Sequence, residues 1–246
     1  MRRFLPELIA LPLLPLLMAQ GRYTRRVTPR LPEAAGPAHG TAGAAHGGQA
    51  LSLLALGESP VAGVGVERQD QAITGQLAQA LAQRLQRPVA WRAYGRNGST
   101  VRQALEHLLP QLPTEPVDIA LVAFGVNDTT AFRPVARWHA DLGDLLTALE
   151  ARCQPRLILL SGVPPMAHFP ALPQPLRWTM GQKARALDGA VRELAQQRAR
   201  VRYVALELDY RDRALMASDG FHPSALGYAA WAGELVEAAV RCHHEP

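Results

Sequence analysis

The chain has 246 residues, 48% of them hydrophobic and 19% charged, which is length and apolar content enough for one large folded domain. The net charge of +5 sits at the N-terminus: six arginines against Glu7 and Glu33 give the first 33 residues +4 and leave the rest near +1, so the charge makes no case for nucleic-acid binding. Two cysteines, Cys153 and Cys242, are too few for a disulfide framework, lack metal-ligand spacing and leave the redox compartment open.

Residues 1–30 form an apolar and basic segment. The uncharged run from Leu8 to Ala19 is short of the ~20 residues that span a bilayer, and Pro12 and Pro15 are expected to break or kink a helix there. Three roles are compatible with it: peripheral contact with an anionic membrane face, packing on the protein's own domain, or an export signal beginning Met1-Arg2-Arg3. The missing A-x-A site and the arginines at 22, 25, 26 and 30 favour a cytoplasmic or peripheral membrane location, with export left open. Residues 31–50, rich in Ala, Gly and Pro, read as a flexible linker ahead of a single domain over 51–246.

From Leu51 strands and helices alternate. Leu51–Leu56 is a buried strand running into Gly57-Glu58-Ser59-Pro60, followed by helical spacing over 67–85 (Ile73, Leu77, Leu81, Leu85) that Pro88 stops. Val89–Tyr94 is a second strand entering GRNGST, with a helix over 101–109. Val117–Phe124 is a third strand entering GVNDTT, with a helix over 135–152. A fourth strand at 156–160 precedes a segment, 163–175, with five prolines, expected to be irregular. A long helix over 176–200, a fifth strand at 201–206 and a terminal helix over 224–242 complete the chain. This order predicts an α/β protein, a three-layer α/β/α sandwich around a five-stranded parallel sheet.

Four loops carry chemistry. Ser59 lies on the sharp turn after the first strand, at the carboxyl edge where open α/β sheets place their crevice. Asp219 and His222, three residues apart in DGFHPS, have the spacing for a carboxylate to hold one imidazole nitrogen and leave the other free to take a serine proton; the same residues also suit a cap and a surface polar side chain. Asn127 after the third strand can aim an amide N–H into the crevice, and Gly98 after the second strand allows close approach to its backbone N–H, although Asn and Gly are also ordinary turn residues. Of the aromatics flanking the proline-rich segment, Phe169 and Trp178 suit either packing or the wall of an acyl pocket.

In these four blocks and their order, residues 51–240 resemble the SGNH (GDSL) hydrolase family, whose fold is flavodoxin-like. The resemblance implies a serine-dependent ester hydrolase, esterase- or lipase-like, acting on a small-molecule or lipid acyl ester through an acyl-enzyme. It implies Ser59 as nucleophile, His222 as base and acid, and Asp219 as its orienting group. The oxyanion hole would come from the N–H groups of Ser59 and Gly98 and the Asn127 amide, with Asp128 bracing the asparagine loop. Glu58 and Pro60 depart from the family's Asp and Leu. No cofactor or metal is expected, since no histidine pair has ligand spacing. An α/β-hydrolase elbow lacks its second glycine, where Val61 stands. A dinucleotide motif at Gly63-Val64-Gly65 lacks its third, where Arg68 stands. A catalytically silent binding protein of the same fold and an acyltransferase with the same triad remain alternatives.

Overall fold

The computed structural model describes residues 5–243. Its centre is one six-stranded sheet with strand order β1-β3-β2-β4-β5-β6. β2 (Leu51–Gly57), β3 (Val89–Gly95), β4 (Ile119–Ala123), β5 (Leu157–Ser161) and β6 (Val201–Val204) are the five expected strands, all parallel. They read as apolar runs because helices cover both faces: all five residues of β4 are buried. On one side α2 (Ile73–Leu85) packs against α7 (Ala225–His243). On the other, α3 (Val101–His107), α5 (Val135–Cys153) and α6 (Leu176–Gln196) form a contiguous layer.

The helices dock through the periodic positions seen in the sequence. α2 buries Ile73, Leu77, Ala78 and Leu81 and ends at Gln86 in the left-handed conformation. α5 buries Trp138, Leu142, Leu145, Leu146 and Leu149, and the Trp138 indole N–H donates to the Leu187 carbonyl of α6 at 3.2 Å. Full burial of each such aliphatic side chain contributes about 1.5–3 kcal/mol.

Two expectations need correction. The stretch over 31–50 is not a structureless linker: His39–Ala42 forms β1, paired antiparallel to β3 from His39 opposite Arg92 to Ala42 opposite Val89, so the sheet has six strands rather than five. Ahead of β1, the Ala34 N–H donates to the Ala62 carbonyl and the Ala35 N–H to the Glu67 carbonyl. An edge strand needs hydrogen bonds on one side only and little side-chain burial, so Gly- and Ala-rich composition does not exclude one. The prolines also fail to break the N-terminal helix. α1 runs over Leu5–Val27 through Pro12 and Pro15, both exposed.

α1 lies on α6 through buried Leu17 and Thr24. The Gln20 side chain clasps the start of α6: its amide donates to the Gln174 carbonyl at 2.6 Å and its oxygen accepts the Leu176 N–H at 3.0 Å. Among the described residues no helix is long and apolar enough to cross a membrane. Met1, Arg2 and Arg3, which opened the export-signal reading, lie outside the described residues.

Candidate active site

In strand order the direction of propagation reverses at β2: β3 lies on one side of it and β4 on the other. The carboxyl ends of these strands part there, which is where open α/β sheets form their crevice. Gly57 ends β2 and leaves no room for a side chain, since a Cβ would sit 2.4 Å from Val61 and 2.7 Å from the Ala123 carbonyl. The chain can therefore turn sharply while the Glu58 N–H still pairs with the Ala123 carbonyl at 3.1 Å, and Ser59 is held at the edge between β2 and β4.

The far end of the chain reaches the same place. Asp219 and His222 lie in the turn before α7. The His222 Nδ1–H donates to Asp219 Oδ2 at 2.5 Å, and the Ser59 hydroxyl lies 3.1 Å from His222 Nε2. Asp219 Oδ1 accepts the backbone N–H groups of Phe221 (2.9 Å) and His222 (3.0 Å), so the carboxylate fixes the loop as well as the ring. Burial pushes the Asp219 carboxyl up, but the His222 hydrogen bond and charge and these two N–H groups outweigh it and hold Asp219 below its ordinary value.

The other two loops are built locally. Thr100 caps α3 by accepting the Gln103 N–H, while the Gln103 side chain accepts the Thr100 N–H; this capping box sets the turn that carries Gly98 at φ +79°. Nothing lies within 4 Å of where a Gly98 Cβ would stand, so the turn is open to approach. The Asn97 N–H donates to the Glu33 carboxylate at 2.7 Å, which ties residues 31–50 to this turn. After β4, Val126–Thr130 forms the one-turn helix α4, read from sequence only as a loop. Asp128, fully buried, accepts the Val101 N–H at 3.0 Å and so ties α4 to the start of α3. Burial pushes its carboxyl up to about 6 against the pull of that bond and of Arg133.

Glu58 is the residue that sequence reasoning passed over. Its side chain turns under the β2–β4 edge, where Oε1 accepts the Val126 N–H at 2.9 Å and Oε2 accepts the Asn127 N–H at 3.0 Å. These are first-turn donors of α4, whose N-cap Gly125 has no side chain to offer them. Oε2 also accepts the Asn127 side-chain amide at 2.6 Å, and the second hydrogen of that amide goes to the Ser99 carbonyl at 3.2 Å. The only sequence signal was the place of Glu58 beside the serine.

The crevice beside Ser59 and His222 opens to solvent and is walled by Phe124, Phe169, Tyr210, Phe221 and Trp231. Phe169, from the proline-rich segment, packs against Phe221 edge-on with centroids 5.1 Å apart and so supports the histidine loop. Trp178 takes no part in this wall and is 42% exposed.

Burial pushes the Glu58 carboxyl from 4.5 up to about 7; the three N–H donors oppose that rise and nearby Asp128 adds to it. A carboxyl raised on folding stabilises the fold fully below its unfolded value and loses that contribution as pH rises through the folded one. Asp128 has the same sign at lower pH, and lowered Asp219 acts oppositely only below the ordinary aspartate range. The unfolding free energy should therefore fall as pH rises from about 4.5 to about 7, and Glu58→Gln should flatten that slope. Parallel urea-unfolding profiles for the two proteins would show that Glu58 does not carry it.

Comparison with known proteins agrees with this architecture. Residues 55–230 match the model of the GDSL-like lipase/acylhydrolase family. No curated protein sequence matches the chain. Among solved structures, the lipase/acylhydrolase from Enterococcus faecalis is 20% identical and covers 80% of this chain and 98% of its own, with a TM-score of 0.59. The family 3 carbohydrate esterase from Clostridium thermocellum is 17% identical over 79% and 97%, at 0.63. The psychrotrophic esterase EstA from Pseudoalteromonas is 19% identical over 79% and 99%, at 0.57. At these identities the structures speak for the fold alone, while the family model spans most of the sheet and all four loops, so the chain belongs to the GDSL-like lipase/acylhydrolase family of hydrolases.

Proposed function

We propose that the protein is a serine-dependent carboxylic ester hydrolase that works through an acyl-enzyme. The observation that carries this reading is the unbroken line of contacts Ser59 Oγ, His222 Nε2, His222 Nδ1, Asp219 Oδ2, at 3.1 Å and 2.5 Å. In the first half-reaction Ser59 Oγ attacks the ester carbonyl carbon while its proton passes to His222 Nε2. The bond to the alcohol oxygen then breaks, and that oxygen takes the proton back from Nε2. In the second half a water attacks the acyl-serine by the same route, releasing the acid and restoring the hydroxyl. Asp219 stays ionised throughout, holding the ring in the tautomer with the proton on Nδ1 and stabilising the imidazolium that forms. The oxyanion would be met by the N–H groups of Ser59 and Gly98 and by the Asn127 amide.

The wall of the crevice speaks for the acyl group. Clear space of about 40 Å³, against the ~10–15 Å³ that holds one water by the same measure, suits a short acyl group between aromatic walls.

The surface of α1 supports a separate reading of where the enzyme works. Leu11, Leu14, Leu16, Met18, Tyr23 and Val27 are all 47% or more exposed, and exposed Arg22, Arg25, Arg26 and Arg30 follow with no acidic residue among them. Apolar residues flanked by uncompensated arginines complement an anionic lipid surface. Through Gln20 and Gln174 the helix is fastened to the proline-rich segment whose Phe169 walls the crevice.

Three measurements test these readings. Ser59→Ala should abolish hydrolysis of p-nitrophenyl acetate with an unchanged circular dichroism spectrum; retained turnover would remove Ser59 as nucleophile. Across acetate, butyrate, octanoate and dodecanoate esters, kcat/KM should be highest for acetate and fall with chain length, and a maximum at octanoate or beyond would contradict the small acyl pocket. The full chain should sediment with phosphatidylglycerol vesicles but not with phosphatidylcholine ones, and replacing Arg22, Arg25 and Arg26 with Glu should release it. Failure to bind the anionic vesicles, or self-association through α1 without binding, would overturn the membrane reading.

A further inference from the structure

Asn127 has two amide hydrogens, and both are engaged: one on the Glu58 carboxylate at 2.6 Å, the other on the Ser99 carbonyl at 3.2 Å. A planar amide whose first N–H is held has its second N–H aimed by geometry. Here the second points at the Gly98–Ser99 turn, the turn expected to provide another oxyanion donor. The two bonds differ in strength. The Glu58 contact at 2.6 Å is the shorter and stronger, so the 3.2 Å contact with Ser99 is the one an incoming oxyanion can displace or share.

We propose that Glu58 is a positioning residue for ester hydrolysis: by holding one N–H of Asn127, it aims the other at the place where the oxyanion forms. This rests on the reading of Ser59 as nucleophile and Asn127 as oxyanion donor. The same carboxylate holds the Val126 and Asn127 backbone N–H groups, so side chain and loop are registered to one anchor adjacent to Ser59 in the chain. Gln at this position offers one acceptor oxygen where Glu offers two, and its own NH₂ opposes the Asn127 NH₂. At least one of the three bonds is then lost, and the amide is free to turn away.

The test is a double-mutant cycle on p-nitrophenyl acetate with Glu58→Gln, Asn127→Ala and the pair. Asn127→Ala alone should lower kcat about 10²–10³-fold, as loss of one oxyanion donor does. Glu58→Gln should lower kcat by about 10–100-fold with KM little changed, a loss confined to transition-state stabilisation. The double variant should be no slower than Asn127→Ala, within about threefold, because Glu58 has nothing left to aim. Losses that multiply would overturn the proposal and leave Glu58 a loop brace. An unchanged kcat in Glu58→Gln would overturn it too. A loss under tenfold in Asn127→Ala, or activity in Ser59→Ala, would instead mark failure of the parent reading, and each is seen in its own arm. A second measurement needs no Glu58 variant: the Asn127 side-chain amide of the ¹⁵N-labelled protein, assigned by its absence in Asn127→Ala, should show one proton well downfield of the other side-chain amides. Both protons at ordinary positions would likewise refute the Glu58 contact.

Discussion

The crevice hangs on the way β2 and β4 end side by side. Their pairing continues one residue past the strands, where the Glu58 N–H still meets the Ala123 carbonyl, and at that point Gly57 leaves no space for a side chain. The chain must turn there. Turning, it sends Ser59 up to the crevice and the Glu58 side chain down beneath the α4 loop. One tight contact thus sets the hydroxyl and the anchor of the facing loop with respect to each other. Precision at this level is what catalysis by orientation requires, because the gain comes from groups already in place.

The cost is a carboxylate taken out of water. Burial disfavours its charged form strongly enough to bring Glu58 to about 7 despite three N–H donors. Asp128, also buried, is raised beside it. By contrast Asp219, facing an imidazole, is held low. Three acids around one crevice are therefore driven apart by their surroundings, the pattern expected where polar groups are placed for chemistry rather than for stability. The N-terminal region adds to the frame: Glu33 holds the Asn97 N–H, β1 closes the sheet edge, and Gln20 of α1 grips the start of α6.

Much of the fold was legible because the signals were local or periodic. The five parallel strands and the main helices followed from apolar runs and 3.6-residue spacing, and α2 buries Ile73, Leu77 and Leu81, which that spacing picked out. Asp219 and His222 were readable as a pair since three residues of separation on a turn suffice for contact. β1 was not, because an edge strand in a Gly-rich stretch has no apolar alternation to show. The helix through Pro12 and Pro15 was not, because a proline's helix penalty is a local preference that tertiary context can override.

What the amino-acid sequence determined by itself was the alternation of strands and helices, the loops at the carboxyl edge, and the residue types able to act there. Those follow from short-range spacing and from side-chain chemistry. Only the tertiary structure decided that Ser59 and His222, 163 residues apart, stand 3.1 Å from one another. It alone decided that Glu58 takes hold of Asn127, and that aromatic side chains remote from one another in the chain wall the crevice. These depend on how far strand ends are offset and which way a buried side chain turns, and such distances are set by packing between segments remote in the chain.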